Sequence, residues 1–299
     1  MKTVKINGHA KINLTLEITG ERDGYHLLDS LVASVDLCDR LTLTKRKNAL
    51  SSIAMKGLGS ENIPPEQNNA LTIAEAFSKK FQVNGVDIKV CKNIPIGAGL
   101  GGSSADSAGV INGMAKLYGV DDKVALKQLA DSVGSDTGYM LFGGFARMQG
   151  RGTEIEILPD FPTLYFMAII PPTGVSAGAC YKKYDETAKP IRAQSKTEEA
   201  IRALQEKDIE RLGRYLTNDL FASSCALNPD VYKAYLEMQA FSPLGVVMTG
   251  SGSAVLGLFE TEELCRYAQS RYKGKFQTQI IKTIKKAKEI KNPFVLEKE

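Results

Sequence analysis

The sequence predicts an α+β protein built from two domains. Its 299 residues are enough for two domains that each bury a core. The first part of the chain opens with segments that alternate apolar and polar residues, as strands do, and helical spacing comes later. The pattern of predicted strands and helices changes near residues 155–162, so we place the domains at 1–158 and 159–299.

Three alternating runs predict the strands of the first domain. Residues 11–18, KINLTLEI, carry an apolar side chain at every second position, and residues 30–46 and 86–90 repeat the pattern. On the first strand Lys11 and Asn13 fall on the face opposite these apolar residues. Both side chains can therefore point into a cleft, although an exposed lysine on an edge strand would show the same pattern.

A glycine-rich segment follows the third strand. Residues 94–109, IPIGAGLGGSSADSAG, include five glycines. A helix is predicted from 103 to 118, with Gly119 as its C-cap, and a second helix from 122 to 133. So many glycines cost backbone entropy, which indicates that this loop serves a purpose beyond connecting two elements.

The second domain has the element order strand, helices, strand, strand, helix, strand. This is the order of the split βαβ, or ferredoxin-like, arrangement. The predicted elements are a strand at 163–170, helical stretches near 196–222 and 229–240, a hairpin over 245–259, a helix at 261–272 and a strand at 276–284. The lysines at and beyond the end of this strand (Lys282, Lys285, Lys286, Lys288 and Lys291) predict a solvated face.

Composition excludes several classes of function. The net charge of +4 is too small to indicate nucleic-acid binding, and no apolar run approaches the ~20 residues of a membrane span. The first residues lack the apolar core of a signal peptide, so we expect a cytoplasmic protein. Two histidines and five dispersed cysteines argue against a zinc site, and we predict no metal site made by the protein alone.

The glycine segment has three interpretations. Residues 97–102 satisfy the dinucleotide pattern G-x-G-x-x-G, but residues 92–95 separate them from the strand, and the chain before them is not βαβ. A structural turn capped by Ser103 or Ser104 would not need so many glycines. A phosphate cradle, in which backbone N–H groups and a helix N-terminus approach a polyphosphate, accounts for the glycines and the serines together.

Four segments resemble a known family of kinases. PIGAGLGGSSA at 95–105 resembles the ATP loop of the GHMP kinase superfamily. Residues 10–43, 134–155 and 248–259 are similar to the 4-diphosphocytidyl-2-C-methyl-D-erythritol kinases, in the same order along the chain. The resemblance implies a two-domain GHMP kinase fold, with an N-terminal ribosomal-protein-S5-domain-2-like half and a C-terminal ferredoxin-like half.

The resemblance has departures. Gly8-His9 stands where the family usually has Ala-Pro, and Leu27 replaces the usual acidic residue. The paired serines are shifted by one place while Asp106 keeps its position. Residues 137–140, TGYM, follow Asp136 in place of the usual V/I-P-F-F. These departures concern the acceptor substrate more than the phosphoryl-transfer chemistry.

The resemblance also implies the roles of individual residues. Asp136 would be the catalytic base and Lys11 its cationic partner. We therefore predict a direct or one-water contact between them, at the mouth of a cleft shared with Ser103 and Ser104. ATP would bind to Asn69, Pro95, Gly97, Ala98, Gly99, Leu100, Gly101, Gly102, Ser103, Ser104 and Ala105. The substrate would bind to Asn13, Tyr25, His26 and Tyr181, with Tyr184 as the alternative to Tyr181 beside the cytosine.

The expected function is ATP- and Mg²⁺-dependent phosphorylation of the 2-hydroxyl of 4-diphosphocytidyl-2-C-methyl-D-erythritol, in the non-mevalonate isoprenoid pathway. The partners would be this substrate and ATP, with the protein a monomer or homodimer. The alternatives are a kinase for another alcohol, of the mevalonate, homoserine or sugar type, and a catalytically silent ligand-binding homologue. Tyr25 and His26 favour the cytidine substrate, and Lys11 and Asp136 argue against a silent homologue.

Overall fold

The structure, a computed structural model, describes residues 2–58, 60, 63–64, 67–187 and 194–285. The strands are β1 (Thr3–Asn13), β2 (Thr15–Arg22), β3 (Tyr25–Lys45), β4 (Ser52–Lys56), β5 (Val86–Cys91), β6 (Phe145–Gly150), β7 (Glu154–Ile157), β8 (Tyr165–Ile170), β9 (Thr217–Asn218), β10 (Gly245–Met248), β11 (Val255–Phe259) and β12 (Gln277–Lys282). The helices are α1 (Asn69–Phe81), α2 (Gly102–Tyr118), α3 (Lys123–Asp131), α4 (Ser135–Met140), α5 (Ala177–Asp185), α6 (Lys196–Gln205), α7 (Ile209–Tyr215), α8 (Phe221–Leu227), α9 (Pro229–Gln239) and α10 (Glu262–Arg271). Of the predicted lysine face, Lys286, Lys288 and Lys291 lie outside the described residues.

The long strand β3 organises the first sheet. It pairs antiparallel with β1, β2, β5 and β6 at different points along its 21 residues. Strand β4 runs parallel to β5, and β7 pairs antiparallel with β6. The short β9, from the second half of the chain, runs parallel to β2 and so connects the two halves of the molecule.

The second sheet has the strand order β10-β11-β8-β12, and its neighbours are all antiparallel. Helices α9 and α10 follow β8 and β11 in the chain and pack on this sheet. The predicted ferredoxin-like order is confirmed.

Helix α2 lies against β1 and β3, behind the glycine segment. It begins after Gly101 and ends at Gly119, whose φ of +73° is the left-handed conformation of the predicted C-cap. A Cβ at Gly113 would come within 2.9 Å of Leu43, so this glycine lets the helix approach the sheet closely. The sequence predicts this helix within one residue at its N-terminal end.

Two predicted elements are wrong in detail. The run 11–18 is not one strand: β1 ends at Asn13, and the chain turns at Leu14 before β2 begins. The helical stretch 196–222 is three helices and a short strand, because Lys207 takes a φ of +60° and Asp208 caps the start of α7. The apolar spacing continues through both breaks, so the sequence pattern does not show where one element ends and the next begins.

The two predicted domains share part of their core. Ile12 and Leu31 from the first sheet belong to the same buried cluster as Phe166 and Leu256 from the second. The boundary at 158/159 stays a prediction. Among the described residues, no helix has both the length and the apolar character needed to cross a membrane.

Candidate active site

Lys11 and Asp136 meet at the end of β1. The Lys11 ammonium is buried, lies 3.2 Å from Asp136 Oδ2, and donates a 2.6 Å hydrogen bond to Asn13 Oδ1. Lys11 and Asn13 occupy alternate positions of one strand, so they share a face as the pattern predicts. Of the direct or one-water contact predicted between Lys11 and Asp136, the structure has the direct form.

Asp136 lies on an element that the sequence analysis did not predict. The second helix was expected to reach residue 133, but α3 ends at Asp131 and a short helix, α4, begins at Ser135. Asp136 is in its first turn, and Gly134 is the N-cap. Tyr139 anchors this helix, because its buried hydroxyl donates to the Gly144 carbonyl at 2.6 Å and lies 2.9 Å from Ser34 Oγ.

The glycine loop has a conformation that requires glycine. Gly97, Gly99 and Gly101 have φ of +70°, +78° and +71°. The second domain supports the loop from behind: Ala254 N donates to the Ala98 carbonyl at 3.2 Å, and a Cβ at Gly99 would come 2.1 Å from the Thr249 carbonyl oxygen. The loop is therefore held between β1 and the turn after β10.

The loop forms one wall of a cavity of about 280 Å³, which we call the loop pocket. Asn69, at the start of α1, also lines this pocket and donates a 3.2 Å hydrogen bond to Ser103 Oγ. Of the predicted ATP residues, those that line it are Asn69, Pro95, Gly97, Ala98, Gly99, Leu100, Gly101, Gly102, Ser103 and Ser104. Ala105 is buried and lies behind the loop, with its carbonyl oxygen against Gly8.

A second cavity, of about 670 Å³, lies beside the loop pocket; we call it the substrate pocket. Lys11, Asn13 and Asp136 line it. Gly99, Gly101 and Ser104 line both pockets, so the pockets meet next to Lys11 and Asp136. The expected cleft therefore includes Ser104, whereas Ser103 faces the loop pocket alone.

An aromatic group forms part of the substrate pocket. The rings of His26 and Tyr181 are stacked, with centroids 5.0 Å apart, and His26 Nε2 lies 2.7 Å from Asp185 Oδ1. Tyr25 is half exposed on the same wall. Tyr184 meets the edge of His26 but is buried in the core and does not line the pocket, so Tyr181 is the tyrosine that faces it.

The Tyr181 phenol is a neutral group at ordinary pH. Burial raises its pKa above the usual value, and the negative charge of Asp136 raises it further. The ring can therefore offer a flat face and a hydroxyl donor to a ligand.

The domain matches agree with this architecture. Residues 68–144 match the GHMP kinases N terminal domain, and residues 200–274 match the GHMP kinases C terminal domain. Over 284 residues the chain is 33% identical to the 4-diphosphocytidyl-2-C-methyl-D-erythritol kinase of Moorella thermoacetica, covering 94% of this chain and 99% of that protein. The chain belongs to the 4-diphosphocytidyl-2-C-methyl-D-erythritol kinase family.

Other members and solved structures give the same relationship. The chain is 34% identical to the family's protein from Carboxydothermus hydrogenoformans, over 84% of this chain and 86% of that one. A crystal structure of 4-(cytidine 5'-diphospho)-2C-methyl-D-erythritol kinase superposes with a TM-score of 0.75 at 29% identity, covering 93% of this chain and 98% of the other. A homoserine kinase from Cytophaga hutchinsonii, at 17% identity and a TM-score of 0.73, shares the fold. The predicted GHMP kinase fold is confirmed.

The structure adds residues to this family site that the sequence analysis did not name. Arg151 and Lys182 bring positive charge to the substrate pocket, and the Arg151 guanidinium lies 3.4 Å from the centroid of the Tyr25 ring. Gly250 N donates to Asn13 Oδ1 at 3.0 Å, which fixes the Asn13 amide. Arg151 and Gly250 lie in segments that carry the family resemblance, and that resemblance was the available signal for both.

Proposed function

We propose that this protein transfers the γ-phosphoryl group of ATP to the 2-hydroxyl of 4-diphosphocytidyl-2-C-methyl-D-erythritol, a step of the methylerythritol phosphate pathway. The observation that carries the proposal is the Lys11–Asp136 contact at the junction of the loop pocket and the substrate pocket. A kinase needs a carboxylate and a cation where a nucleotide and an alcohol come together.

In the proposed reaction the alcohol lies in the substrate pocket with its 2-hydroxyl at Asp136. The carboxylate accepts the hydroxyl proton as the oxygen bonds to the γ-phosphorus, and the bond from phosphorus to the β,γ-bridging oxygen breaks to release ADP. The Lys11 ammonium offsets the negative charge of the carboxylate and of the transferring group. Asn13 holds the ammonium in place through its 2.6 Å hydrogen bond.

The triphosphate would lie along the loop. The glycines let it approach the backbone N–H groups, and α2 begins at the end of the loop with its N-terminus toward the loop pocket. The Asp136 carboxylate and the Ser104 hydroxyl are hard oxygen donors where the pockets meet, which suits Mg²⁺ shared with phosphate oxygens. When bound, Mg²⁺ would neutralise phosphate charge there.

The aromatic group would recognise the cytidine end of the substrate. Tyr25 and Tyr181 offer flat faces for the base, and His26 offers a ring nitrogen for its edge. Arg151 and Lys182 supply positive charge for the diphosphate in the same pocket. These features favour a cytidine diphosphate alcohol over a smaller acceptor such as mevalonate or homoserine.

A turnover assay tests the proposal. Purified protein would be given ATP–Mg²⁺ and a panel of alcohols: the cytidine diphosphate alcohol, mevalonate, homoserine and a sugar. We expect ADP release with the first alone, and none after Mg²⁺ is chelated. Turnover of another alcohol at a higher kcat/KM would contradict the proposed acceptor. We also propose a cytoplasmic protein that is a monomer or homodimer, which fractionation and sedimentation would test.

A further inference from the structure

A buried charge cluster lies beside the loop, and two of its residues, Lys92 and Asp106, line the loop pocket. The Lys92 ammonium donates to Asp106 Oδ2 at 2.6 Å and also to Asp39 Oδ2. Lys92 is only 5% exposed, and both carboxylates are buried as well. These three residues come from three different segments of the chain, and none of them belongs to the catalytic pair or to the aromatic group.

Asp39 holds the first residues of the loop. It lies on β3, and its Oδ1 accepts hydrogen bonds from Asn93 N at 2.6 Å and from Ile94 N at 2.9 Å. The same carboxylate therefore binds the Lys92 ammonium through one oxygen and two consecutive backbone N–H groups through the other. This contact attaches the beginning of the loop to the central strand of the sheet.

Asp106 holds the other end. It lies on α2, which begins at Gly102 where the loop ends. The Lys92 ammonium is 3.4 Å from the position that a Cβ at Gly102 would occupy. The Lys92 side chain, just before the loop, thus connects this part of the chain to α2, which follows the loop, and to β3.

We propose that Lys92 is a positioning residue, which holds the glycine loop in its nucleotide-binding conformation through Asp39 and Asp106. The proposal rests on the proposed ATP site. Glycines give the loop many alternative conformations, and ordering it during binding would cost affinity. Because its ammonium already donates to Asp39 and to Asp106, Lys92 acts through the geometry of the loop rather than as a free positive charge for the phosphates.

Stability alone is a poor explanation of this cluster. A buried ion pair gives little net stability compared with apolar residues of the same size, because its charges must be removed from water. Here a second buried carboxylate is added, and Asp106 Oδ1 has no hydrogen-bond partner among the described residues. We attribute this buried cluster, which is costly in free energy, to the loop conformation that it holds in place.

The test compares Lys92→Met with Lys89→Met. Lys89 lies on β5 three residues earlier and is exposed, so its replacement is the matched control. We expect Lys92→Met to weaken binding of a non-hydrolysable ATP analogue by about tenfold, since the loop must then be ordered on binding. Hydrogen exchange should become faster in a peptide covering 94–102 and stay unchanged elsewhere. The KM for the alcohol should stay unchanged, and Lys89→Met should match the wild type.

Asp106→Asn extends the test. Asparagine keeps the shape and an acceptor oxygen, so we expect a smaller loss of analogue affinity, about threefold, in a fold that is preserved. If Asp106 acts through Lys92, the double variant should bind no more weakly than Lys92→Met alone. This milder variant decides the question if Lys92→Met fails to fold.

Two outcomes would overturn the inference. One is unchanged analogue affinity in the folded Lys92→Met or Asp106→Asn protein; the other is faster exchange spread evenly over the whole chain, which would indicate a loss of global stability. Failure of the wild type to bind the analogue would instead contradict the proposed ATP site. The wild-type measurement therefore separates the two proposals.

Discussion

The Lys11 ammonium lies between two oxygen acceptors, 3.2 Å from Asp136 Oδ2 and 2.6 Å from Asn13 Oδ1. Lys11 and Asn13 come from the first strand of the chain, and Asp136 comes from a short helix beyond α2 and α3. They come together because α4 packs on α2 and α3 and is tied to Ser34 and Gly144 through the Tyr139 hydroxyl. This relationship leads to the first prediction.

Asp136→Asn should reduce kcat by about 10²–10⁴, the usual contribution of a general base. Asparagine keeps the shape of the side chain but cannot accept the proton, so the KM for ATP should change little. Lys11→Met should be comparably damaging, because the charge that faces the carboxylate is lost. Steady-state kinetics with the cytidine diphosphate alcohol check both, and a folded Asp136→Asn protein with normal kcat would contradict the assigned base.

The loop glycines give a second prediction, for which Gly97 is the best position. A Cβ at Gly99 would strike the Thr249 carbonyl oxygen at 2.1 Å, whereas a Cβ at Gly97 meets only Gly174 at 3.4 Å. Gly97→Ala should therefore fold but raise the KM for ATP, since the methyl group occupies the space where phosphate would approach the loop.

Gly119→Ala is the matched control for this experiment. Gly119 has a φ of +73°, against +70° for Gly97, and no atom lies within 4 Å of its Cβ position. The two substitutions thus impose similar backbone strain, and thermal unfolding should show similar losses. Equal KM values for ATP in the two variants would show that Gly97 is not part of the nucleotide site.

The third prediction concerns the aromatic group. Tyr25→Ala should weaken binding of the cytidine substrate by about 1–3 kcal/mol, the usual scale for stacking on a base, and leave ATP binding unchanged. Tyr232 on α9 is equally exposed, at 51%, and lies outside the pocket, so Tyr232→Ala is the control. Calorimetric titration of each variant with both ligands distinguishes the two explanations. Loss of stacking weakens binding of the cytidine substrate alone, whereas a folding defect would weaken binding of both ligands.

Local patterns predicted much of this site, and long-range packing decided the rest. Alternation placed Lys11 and Asn13 on one face of β1, and glycine and helix signals placed the loop and α2. The contact with Asp136 depends on how α4 packs, which no local pattern encodes. Arg151 was missed because it lies in the turn between β6 and β7, where neither helical nor strand periodicity applies.

Lys92 shows the same limit. In the sequence it is one of four residues that separate a strand from a glycine loop, and an isolated lysine is normally a surface residue. Its burial follows from Asp39 on β3 and Asp106 on α2, two carboxylates that become neighbours only in the folded chain. Sequence reasoning can identify each charge but cannot place the three together.

Asp106 gives the last prediction, which concerns stability as a function of pH. Its pKa is raised from the ordinary value of 3.8 to about 7, chiefly by burial and also by the neighbouring Asp39 charge, against the opposing effect of Lys92. Between these two values the folded protein binds a proton that the unfolded chain releases. The free energy of unfolding should therefore decrease as pH rises from about 4 to about 7 at this site.

Denaturant unfolding of the wild type and Asp106→Asn at several pH values between 5 and 8 checks this. Every other ionisable group is common to the two proteins, so the difference between the two curves isolates Asp106. The wild type should lose stability relative to the variant with rising pH, because the ionised carboxylate is buried beside a second negative charge. Asp121→Asn, at an exposed carboxylate after α2, is the control and should follow the wild type. Parallel curves for the wild type and Asp106→Asn would mean that Asp106 is ionised throughout this range, with Lys92 holding both carboxylates charged.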